Sequence, residues 1–452
     1  MLHTKRWRFF AVLSIVGLIL LILVKIKFIS ITIATSSAER GKIIDQNGVI
    51  LATNKKVKSL YCTSNAERLS NYDTSNTLAF FNQFSKEFQH DISAEDVKSQ
   101  LQQSCKKQTM NDIPLYSDIN ESELTFINKN KPNNVIIKDE RIRYYPKHEI
   151  GSQLIGYVET DLNSKYGPVG KSGIELQYEN DLKGKPGKTL IFKMNNKKFL
   201  WNIQKVQKGK DVRLALDSKL QQKTEEALRS QLKKIPDANA GYAVVTDVKT
   251  GAILTMANSA VFNPNTLHTH VSSRNENIKS PNKFENGISA LLNASWGGNE
   301  VHTPLQLAQY AATLARKGDK YKPQIVSAII GQDGKETKKF KPILESSNRY
   351  PMEFWSVVQG GMSQNIEEIK NSPFHVAGKT GSTGSPNEQE RVINHSLFIA
   401  YAPTEDPQIA ISVVIPGGNS EKNSAALVTA KILDSWDTLQ KKNKNKEEGS
   451  LK

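Results

Sequence analysis

Three consecutive residues near the C-terminus, Lys379, Thr380 and Gly381, form the most informative chemical group in the chain. A lysine supplies a cation and a threonine supplies a hydroxyl, and both bind a carboxylate when a strand presents them at a cleft. The glycine lets a ligand approach the backbone closely. Together with Ser382, the run is a candidate substrate-binding strand. A turn between two strands is the alternative for an isolated triplet.

A nucleophile for acyl transfer needs a base within hydrogen-bond reach, and a serine one helical turn before a lysine provides both groups. Ser280 and Lys283 have this spacing, and Pro281 favours the start of a helix between them. The same spacing occurs by accident at Ser104 and Lys107, and at Ser230 and Lys233. Because polar residues surround Lys283, its amine would stay solvated and protonated, so we expect this catalytic pair to be impaired.

Other polar motifs are predicted to be structural. Two Ser-x-Asn runs, at 346–348 and 385–387, are predicted to be loops, and His395 is predicted to be a strand or rim residue. No spacing of residues indicates a metal site or a diffusible cofactor.

Helices and strands that could position the triplet follow from hydrophobic periodicity after residue 210. The pattern predicts a helix from Ser218 to about Lys234 and a second from Pro304 to Arg316, with Leu305, Ala308, Tyr310 and Leu314 in the core. It predicts strands at 242–246, 252–256, 376–380, 396–401 and 409–415, and a closing helix at 425–439. This order indicates an α+β domain with an antiparallel sheet flanked by helices.

The N-terminus indicates a membrane anchor. Residues 9–24 are almost wholly apolar, and Lys5, Arg6 and Arg8 precede them, which favours a cytoplasmic N-terminus and extracytoplasmic C-terminal domains. The apolar core is short for a span, and residues 28–33 could lengthen it. A cleaved signal peptide, with its cleavage site near residues 35–38, is the alternative.

Bulk composition is consistent with an exported protein. The 452 residues carry a formal net charge of +16, and no basic element is interleaved with aromatic residues, so nucleic acid is not an expected partner. Anionic lipid head groups and an acidic cell wall are the expected partners of the positive charge. Cys62 and Cys105 could form a disulfide or remain two thiols.

Motifs along the chain show that it resembles a class B penicillin-binding protein. The matching segments occur in the family's order at 39–48 (ERGKIIDQNG), 143–146 (RYYP), 172–179 (SGIELQYE), 216–221 (LDSKLQ), 262–265 (FNPN), 303–308 (TPLQLA) and 395–401 (HSLFIAY), with the Lys-Thr-Gly triplet before the last. The resemblance implies a cytoplasmic tip and transmembrane anchor at 1–36, a β-rich pedestal or dimerisation-like domain at 37–210, a transpeptidase-like domain at 211–438 and a basic disordered tail at 439–452.

The resemblance also implies D,D-transpeptidation of peptidoglycan stem peptides through a serine acyl-enzyme, with β-lactams as further ligands. Lys379 and Thr380 would bind the terminal carboxylate of the peptide, and the Ser382 amide would contribute to the oxyanion hole. Implied partners are a membrane-embedded glycan polymerase and division or sporulation proteins. However, only residues 266–302 separate two landmarks between which the family places a helical subdomain. We therefore expect that subdomain to be largely missing. The alternative function is a non-catalytic membrane-anchored scaffold.

Overall fold

The computed structural model describes residues 29–62, 75–89, 95, 97–99, 113–159, 167–194, 197–236, 238–266, 302–363, 366–386, 392–418 and 423–450. The strands are β1 (Ile29–Ser36), β2 (Ile43–Ile44), β3 (Ile50–Cys62), β4 (Ile113–Ser117), β5 (Val135–Tyr144), β6 (Val158–Glu159), β7 (Val169–Gly170), β8 (Gly187–Met194), β9 (Lys197–Gln204), β10 (Asp211–Leu214), β11 (Tyr242–Asp247), β12 (Ile253–Asn258), β13 (Asp319–Tyr321), β14 (Val326–Ile330), β15 (Glu336–Lys339), β16 (Leu344–Ser347), β17 (Ala377–Pro386), β18 (Val392–Ala402) and β19 (Ile409–Ile415).

The helices are α1 (Ser75–Phe88), α2 (Glu121–Asn130), α3 (Ser152–Ile155), α4 (Gly173–Gln177), α5 (Glu179–Leu182), α6 (Ser218–Leu232), α7 (Pro304–Ala315), α8 (Met352–Met362) and α9 (Ser424–Ser450), with a short 3₁₀ helix at Glu367–Ile369.

The first described element is a strand. β1 pairs antiparallel with β8, from Ile29 opposite Met194 to Ser36 opposite Gly187, and β9 completes this sheet. The predicted lengthening of the anchor over residues 28–33 is therefore wrong from Ile29 onward, because these residues pair their backbone with β8 instead of continuing a helix. In the described part of the chain, no helix is long and apolar enough to cross a membrane. The predicted anchor core, residues 9–24, lies outside the described residues.

A mixed sheet forms the centre of the N-terminal half, with the described strands in the order β15-β14-β10-β2-β3-β4 and β5 paired with β3. Its β10 is parallel to β2 and antiparallel to β14. The sheet therefore includes strands from both sides of the boundary predicted after residue 210. Beyond it, α1 and α2 bury an aromatic cluster that includes Phe80, Phe81 and Phe84.

The C-terminal half contains the predicted antiparallel sheet, whose described strands have the order β12-β11-β19-β18-β17. One face packs against α6 and α9 through residues such as Leu228, Phe398 and Ile432. The other face packs against α7 and α8, for example through Ala311 and Tyr401. The predicted α+β architecture is thus confirmed.

Helix α6 begins at Ser218, as predicted, and Asp217 is its N-cap. The Asp217 carboxylate accepts hydrogen bonds from the backbone N–H groups of Lys219 and Leu220, which satisfies donors that have no partner within the helix. Ser218 has another role, since its hydroxyl donates to Oδ2 of the buried Asp45 at 2.6 Å. This bond joins the start of α6 to the N-terminal half.

Helix α7 confirms the predicted segment but only part of its predicted core. Thr303 and Gln306 form a capping box at its start, and Ala308 and Leu314 are buried. Tyr310, however, is 54% exposed. Two residues rotate about 200° around a helix, so Tyr310 lies nearly opposite Ala308 and cannot share its buried face.

Helix α9 is longer than predicted. It starts at Ser424, where the Ala425 N–H donates to the Ser396 hydroxyl at 3.0 Å, and it continues to Ser450. The predicted disorder is therefore wrong for residues 439–450. An ion pair between Lys441 and Asp437, at 2.7 Å and one helical turn apart, stabilises the exposed part of the helix.

Candidate functional site

The Lys-Thr-Gly triplet lies on β17, at the edge of the five described strands. β17 pairs with β18 along its whole length, and none of the other strands in the described ranges pairs with its outer edge. Lys379 and Ser382 are exposed, Thr380 is half-buried and Gly381 is buried. The edge therefore offers a ligand both the backbone and two polar side chains. The triplet lies within a strand, so the alternative of a turn between two strands is wrong.

The register places Lys379 and Thr380 on different faces of the sheet. Lys379 is opposite Ile399, which packs with α7 and α8, whereas Thr380 is opposite Phe398, which packs with α9. Since alternate residues of a strand point to opposite faces, the two side chains flank the outer edge of β17. The Lys379 ammonium donates to the Thr380 carbonyl at 2.9 Å, so the cation stays close to this edge.

Gly378 sets the packing of the strand directly before the triplet. A Cβ atom at this position would lie 2.4 Å from Cζ of the Phe398 ring, and Phe398 is fully buried. Only glycine therefore allows β17 to lie this close to the ring. The positioning role of Phe398 was not predicted from the sequence, although the glycine before the triplet was a visible signal.

His395 is a buried residue of β18, in agreement with the predicted strand position. Its Nδ1 accepts a hydrogen bond from the Gly417 N–H at 3.0 Å, which requires that Nδ1 carry no proton. Burial lowers the pKa of this imidazole and favours the neutral ring. The interaction ties β18 to the end of β19, so His395 has a structural contact in place of an exposed catalytic position.

The candidate catalytic pair, Ser280 and Lys283, lies outside the described residues. The accidental match at Ser230 is on α6, where the serine hydroxyl accepts a hydrogen bond from Lys431 of α9 at 3.3 Å. The other accidental match, Ser104 and Lys107, is also outside the described residues.

The two Ser-x-Asn runs are not the loops that the sequence predicted. Ser346 and Ser347 belong to β16 and pair with β13, because Ser346 lies opposite Lys320 and Ser347 opposite Asp319. Ser385 belongs to β17, which continues past the triplet to Pro386. Both strands were too short or too rich in small polar residues to give a periodic signal.

A metal site and a disulfide are the two remaining kinds of site to compare with the described residues. Within the part of the chain that the structure describes, no three His, Cys, Asp or Glu side chains are placed to hold a metal ion. Cys62 is buried in β3, and the Asn134 amide donates to its Sγ at 3.4 Å. Cys105 lies outside the described residues, so the disulfide prediction remains untested.

Two family models match the chain and together cover most of it. The penicillin-binding protein dimerisation domain matches residues 35–214, and the penicillin-binding protein transpeptidase domain matches residues 269–434. The second match includes β17 and its triplet.

Curated relatives and solved structures agree with these matches. Peptidoglycan D,D-transpeptidase FtsI of Escherichia coli K12 is 28% identical over 244 residues, which are 53% of this chain and 38% of FtsI. Peptidoglycan D,D-transpeptidase MrdA of Acinetobacter baumannii is 23% identical over 570 positions, covering 89% of this chain and 81% of MrdA. The chain thus aligns with little more than a third of FtsI.

Two solved structures have the same fold at low identity. Penicillin-binding protein 2B of Streptococcus pneumoniae R6 has a TM-score of 0.57 and 18% identity, covering 90% of this chain and 99% of that one. A chain from a peptidoglycan synthase complex, described as coordinating polymerization and crosslinking, has a TM-score of 0.60 and 18% identity, covering 96% and 98%. With its dimerisation domain followed by a transpeptidase domain, the chain belongs to the class B penicillin-binding proteins.

Proposed function

We propose that this chain is a membrane-anchored protein of peptidoglycan biosynthesis that binds the end of a stem peptide on β17 and has an impaired serine acylation step. The observation that carries the proposal is the position of the exposed Lys379 and the half-buried Thr380 on the outer edge of the described sheet. The two groups have the chemistry that binds a terminal carboxylate.

The family reaction defines what each group would do. A serine hydroxyl attacks the carbonyl of the penultimate D-Ala and its proton passes to a base. The peptide C–N bond then breaks, the proton passes to the departing nitrogen, and the terminal D-Ala leaves as a free amine while the serine ester forms. The amine of a second stem peptide then attacks the acyl-enzyme and regenerates the serine. Lys379 and Thr380 would hold the leaving D-Ala by its carboxylate, and the Ser382 N–H would stabilise the oxyanion.

Impairment is proposed for the catalytic side, where Ser280 and Lys283 are the candidates. Only 37 residues, 266–302, separate the motif ending at Asn265 from Thr303. The alignment with MrdA extends over 570 positions although this chain has 452 residues, so MrdA contains residues without a counterpart here. A short polar segment cannot bury a lysine, and a solvated lysine is a poor base.

Anchoring by the apolar segment 9–24 is part of the proposal. The positive residues before this segment favour a cytoplasmic N-terminus, which would place β1 and everything after it outside the cell membrane. That location is where peptidoglycan is assembled, so the substrate and the substrate-binding strand would meet there.

Two measurements on the full chain test the proposal. The first is covalent labelling with a fluorescent penicillin, followed by intact mass, for the wild type and Ser280→Ala. We expect no stoichiometric adduct in either protein. A stoichiometric adduct on the wild type that disappears in Ser280→Ala would show a working nucleophile and contradict the proposed impairment.

The second measurement is equilibrium binding of an acyl-D-Ala-D-Ala peptide. We expect Lys379→Ala to weaken binding at least tenfold, because a charge-assisted hydrogen bond contributes about 1.5–3 kcal/mol and about 1.4 kcal/mol corresponds to a factor of ten. Lys249→Ala is the matched control, since Lys249 is an exposed lysine in the turn between β11 and β12. Equal binding by the wild type and Lys379→Ala would contradict the assignment of β17 as the substrate strand.

A non-catalytic scaffold is the second candidate function, and one comparison favours it. The chain shares its fold, over 96% of its length, with a chain from a complex described as coordinating polymerization and crosslinking. A scaffold of this type would bind a membrane-embedded glycan polymerase or division or sporulation proteins. Co-purification of such a polymerase with the wild type, unchanged in Ser280→Ala and Lys379→Ala, would favour the scaffold. Failure to recover one with any of the three proteins would count against it.

A further inference from the structure

The small sheet of β1, β8 and β9 has one apolar face. In one row across the three strands, Ile31 is opposite Phe192 and Phe192 is opposite Phe199. In the next row on the same side, Ile33 is opposite Leu190 and Leu190 is opposite Trp201. Residues directly opposite each other project to the same side of a sheet. These six side chains therefore share one side, which we call the apolar face.

Water reaches the apolar face along much of its area. Trp201 is 74% exposed, Ile33 61% and Phe199 52%. Phe192 and Phe199 partly shield each other, with ring centroids 6.3 Å apart. Exposed apolar area costs about 25 cal/mol per Å² relative to a buried state, and contiguous patches of this kind mark interaction surfaces.

The other side of the sheet is mainly polar. Lys193 and Lys198 are opposite each other at one end of this side, and Ala34, Thr189 and Asn202 form a row two places further along, beyond the row of Thr32, Ile191 and Leu200. Ile191 and Leu200 are the apolar exceptions. The sheet is thus amphipathic in cross-section, which is the property of elements that lie in the plane of a membrane interface.

The position of the apolar segment 9–24 in the sequence indicates that a bilayer would lie close to the apolar face. The apolar segment 9–24 ends five residues before Ile29, and five extended residues span at most about 18 Å. Ile29 is opposite Met194, and Met194 is opposite Lys197, so the turn between β8 and β9 lies at the same end of the sheet as the apolar segment. The apolar face therefore begins beside the point where the chain would leave the bilayer.

Charge and aromatic content at this end fit a lipid surface. Lys193, Lys197 and Lys198 surround the turn, and Lys25 and Lys27 precede β1. Basic residues near an anionic bilayer are attracted to it, and tryptophan is enriched at the interface between lipid and water. A soluble protein partner would not require this combination of basic tip and flanking apolar segment.

We propose that the apolar face of β1, β8 and β9 rests in the head-group region of the same bilayer that holds residues 9–24. This inference depends on the proposed membrane anchoring. It makes the sheet a second membrane contact, which fixes the orientation of the first domain on the membrane instead of leaving it on a flexible stalk.

Quenching of Trp201 by brominated lipid tests the inference on the full chain. The chain is reconstituted in vesicles of phosphatidylglycerol and phosphatidylethanolamine whose acyl chains carry bromine at shallow positions. The chain has five tryptophans, so the signal of residue 201 is the difference between the wild type and Trp201→Phe. We expect brominated lipid to reduce this difference by more than half, and acrylamide to affect it little.

A matched control moves the probe to the polar face. In Trp201→Phe with Leu200→Trp the indole occupies an adjacent exposed position of β9 on the opposite side of the sheet. We expect that indole to be quenched by acrylamide and not by brominated lipid. Both substitutions are on an exposed strand, and unchanged circular dichroism and thermal unfolding would confirm that the proteins fold alike.

The alternative results have different meanings. If Trp201 is quenched by acrylamide and not by lipid, the apolar face is open to water and the inference is wrong. If it is shielded from both, a protein, such as a second copy of the chain, covers the face and the inference is also wrong. A chain that does not float with the vesicles would contradict the proposed anchoring as well, whereas a floating chain with unquenched Trp201 would contradict this inference alone.

Discussion

At position 378 the candidate strand lies directly on an aromatic ring. A Cβ atom would approach Cζ of Phe398 to 2.4 Å, a distance that real Cβ atoms do not tolerate. Phe398 is fully buried among residues of α6, α9 and the sheet, so the ring has no free space into which it can move. Added volume at this position must therefore displace β17.

We expect Gly378→Ala to lower the free energy of unfolding by about 1–3 kcal/mol, the usual cost of an extra methyl group in a packed core. Urea unfolding would measure the change. The control is Gly360→Ala on α8, where the added methyl group meets no atom within 4 Å and alanine favours the helix by about 1 kcal/mol. If both variants were equally stable, Phe398 would not constrain the strand.

Residue identities near the site were predictable from sequence to different extents. Lys379, Thr380 and Gly381 could be selected because their chemistry is specific and they are adjacent. The sides of the sheet to which Lys379 and Thr380 project could not be predicted, because the side depends on the register with β18. Tyr310 was wrongly predicted to lie in the core, because an aromatic residue near Ala308 in the sequence lies about 200° away from it around the helix.

Three elements of the first domain meet at the side chain of Glu175 in α4. Arg40, just before β2, donates from Nε to Glu175 Oε2 at 2.7 Å, and Arg143 of β5 donates from Nε to Oε1 at 2.7 Å. All three side chains are almost fully buried. Burial alone would raise the pKa of Glu175, but the two guanidinium groups outweigh it and hold that pKa below its ordinary value.

We expect Glu175→Gln to lower the free energy of unfolding by about 3–5 kcal/mol at pH 7, because it removes the carboxylate that pairs with the buried Arg143 and leaves the buried Arg40 with Glu179 alone. The lowered pKa means that the carboxylate stabilises the fold fully above its unfolded pKa of about 4.3, and that this contribution is lost as the pH falls through the lower folded value. The difference between wild type and variant should therefore be constant near neutral pH and shrink below about pH 4.

Chemical denaturation from pH 3 to pH 7 would measure this dependence. Glu226→Gln is the control, since Glu226 forms an exposed ion pair with Lys223 on α6 and its loss should change stability by less than about 0.5 kcal/mol. A difference between wild type and Glu175→Gln that does not vary with pH would contradict the proposed role of the charge.

Elements with strong local signals were predicted well from sequence. The hairpin of β11 and β12 and the helix α7 follow from periodicity and from turn or capping residues. β1 was missed because its apolar residues continue the composition of the preceding segment, and the paired strand β8 lies more than 150 residues away. The end of α9 was missed because its lysine-rich sequence is also typical of a solvated tail.

At the scale of the whole molecule, the two family domains share a sheet. β2 and β3 lie within the dimerisation match, whereas β14 lies within the transpeptidase match, and β10 pairs with both β2 and β14. Their side chains form one buried cluster that includes Ile43, Leu51, Val212 and Ile329. A domain boundary was predicted at this point, because pairing between strands more than 100 residues apart leaves no local pattern in the sequence.

A shared sheet predicts that damage in one domain loosens the other. Ile329→Ala removes buried methyl groups from β14, opposite Val212, and should lower stability by about 2–5 kcal/mol. Because Ile329 belongs to the same buried cluster as Ile43 and Leu51, we expect hydrogen exchange of the β2 and β10 amides to accelerate at least tenfold, a factor that corresponds to about 1.4 kcal/mol. Ile127→Ala is a matched change in the separate aromatic cluster, and it should accelerate exchange in α1 and α2 more than in β14. Unchanged exchange in β2 of Ile329→Ala would mean that the two domains, although joined by hydrogen bonds, open independently.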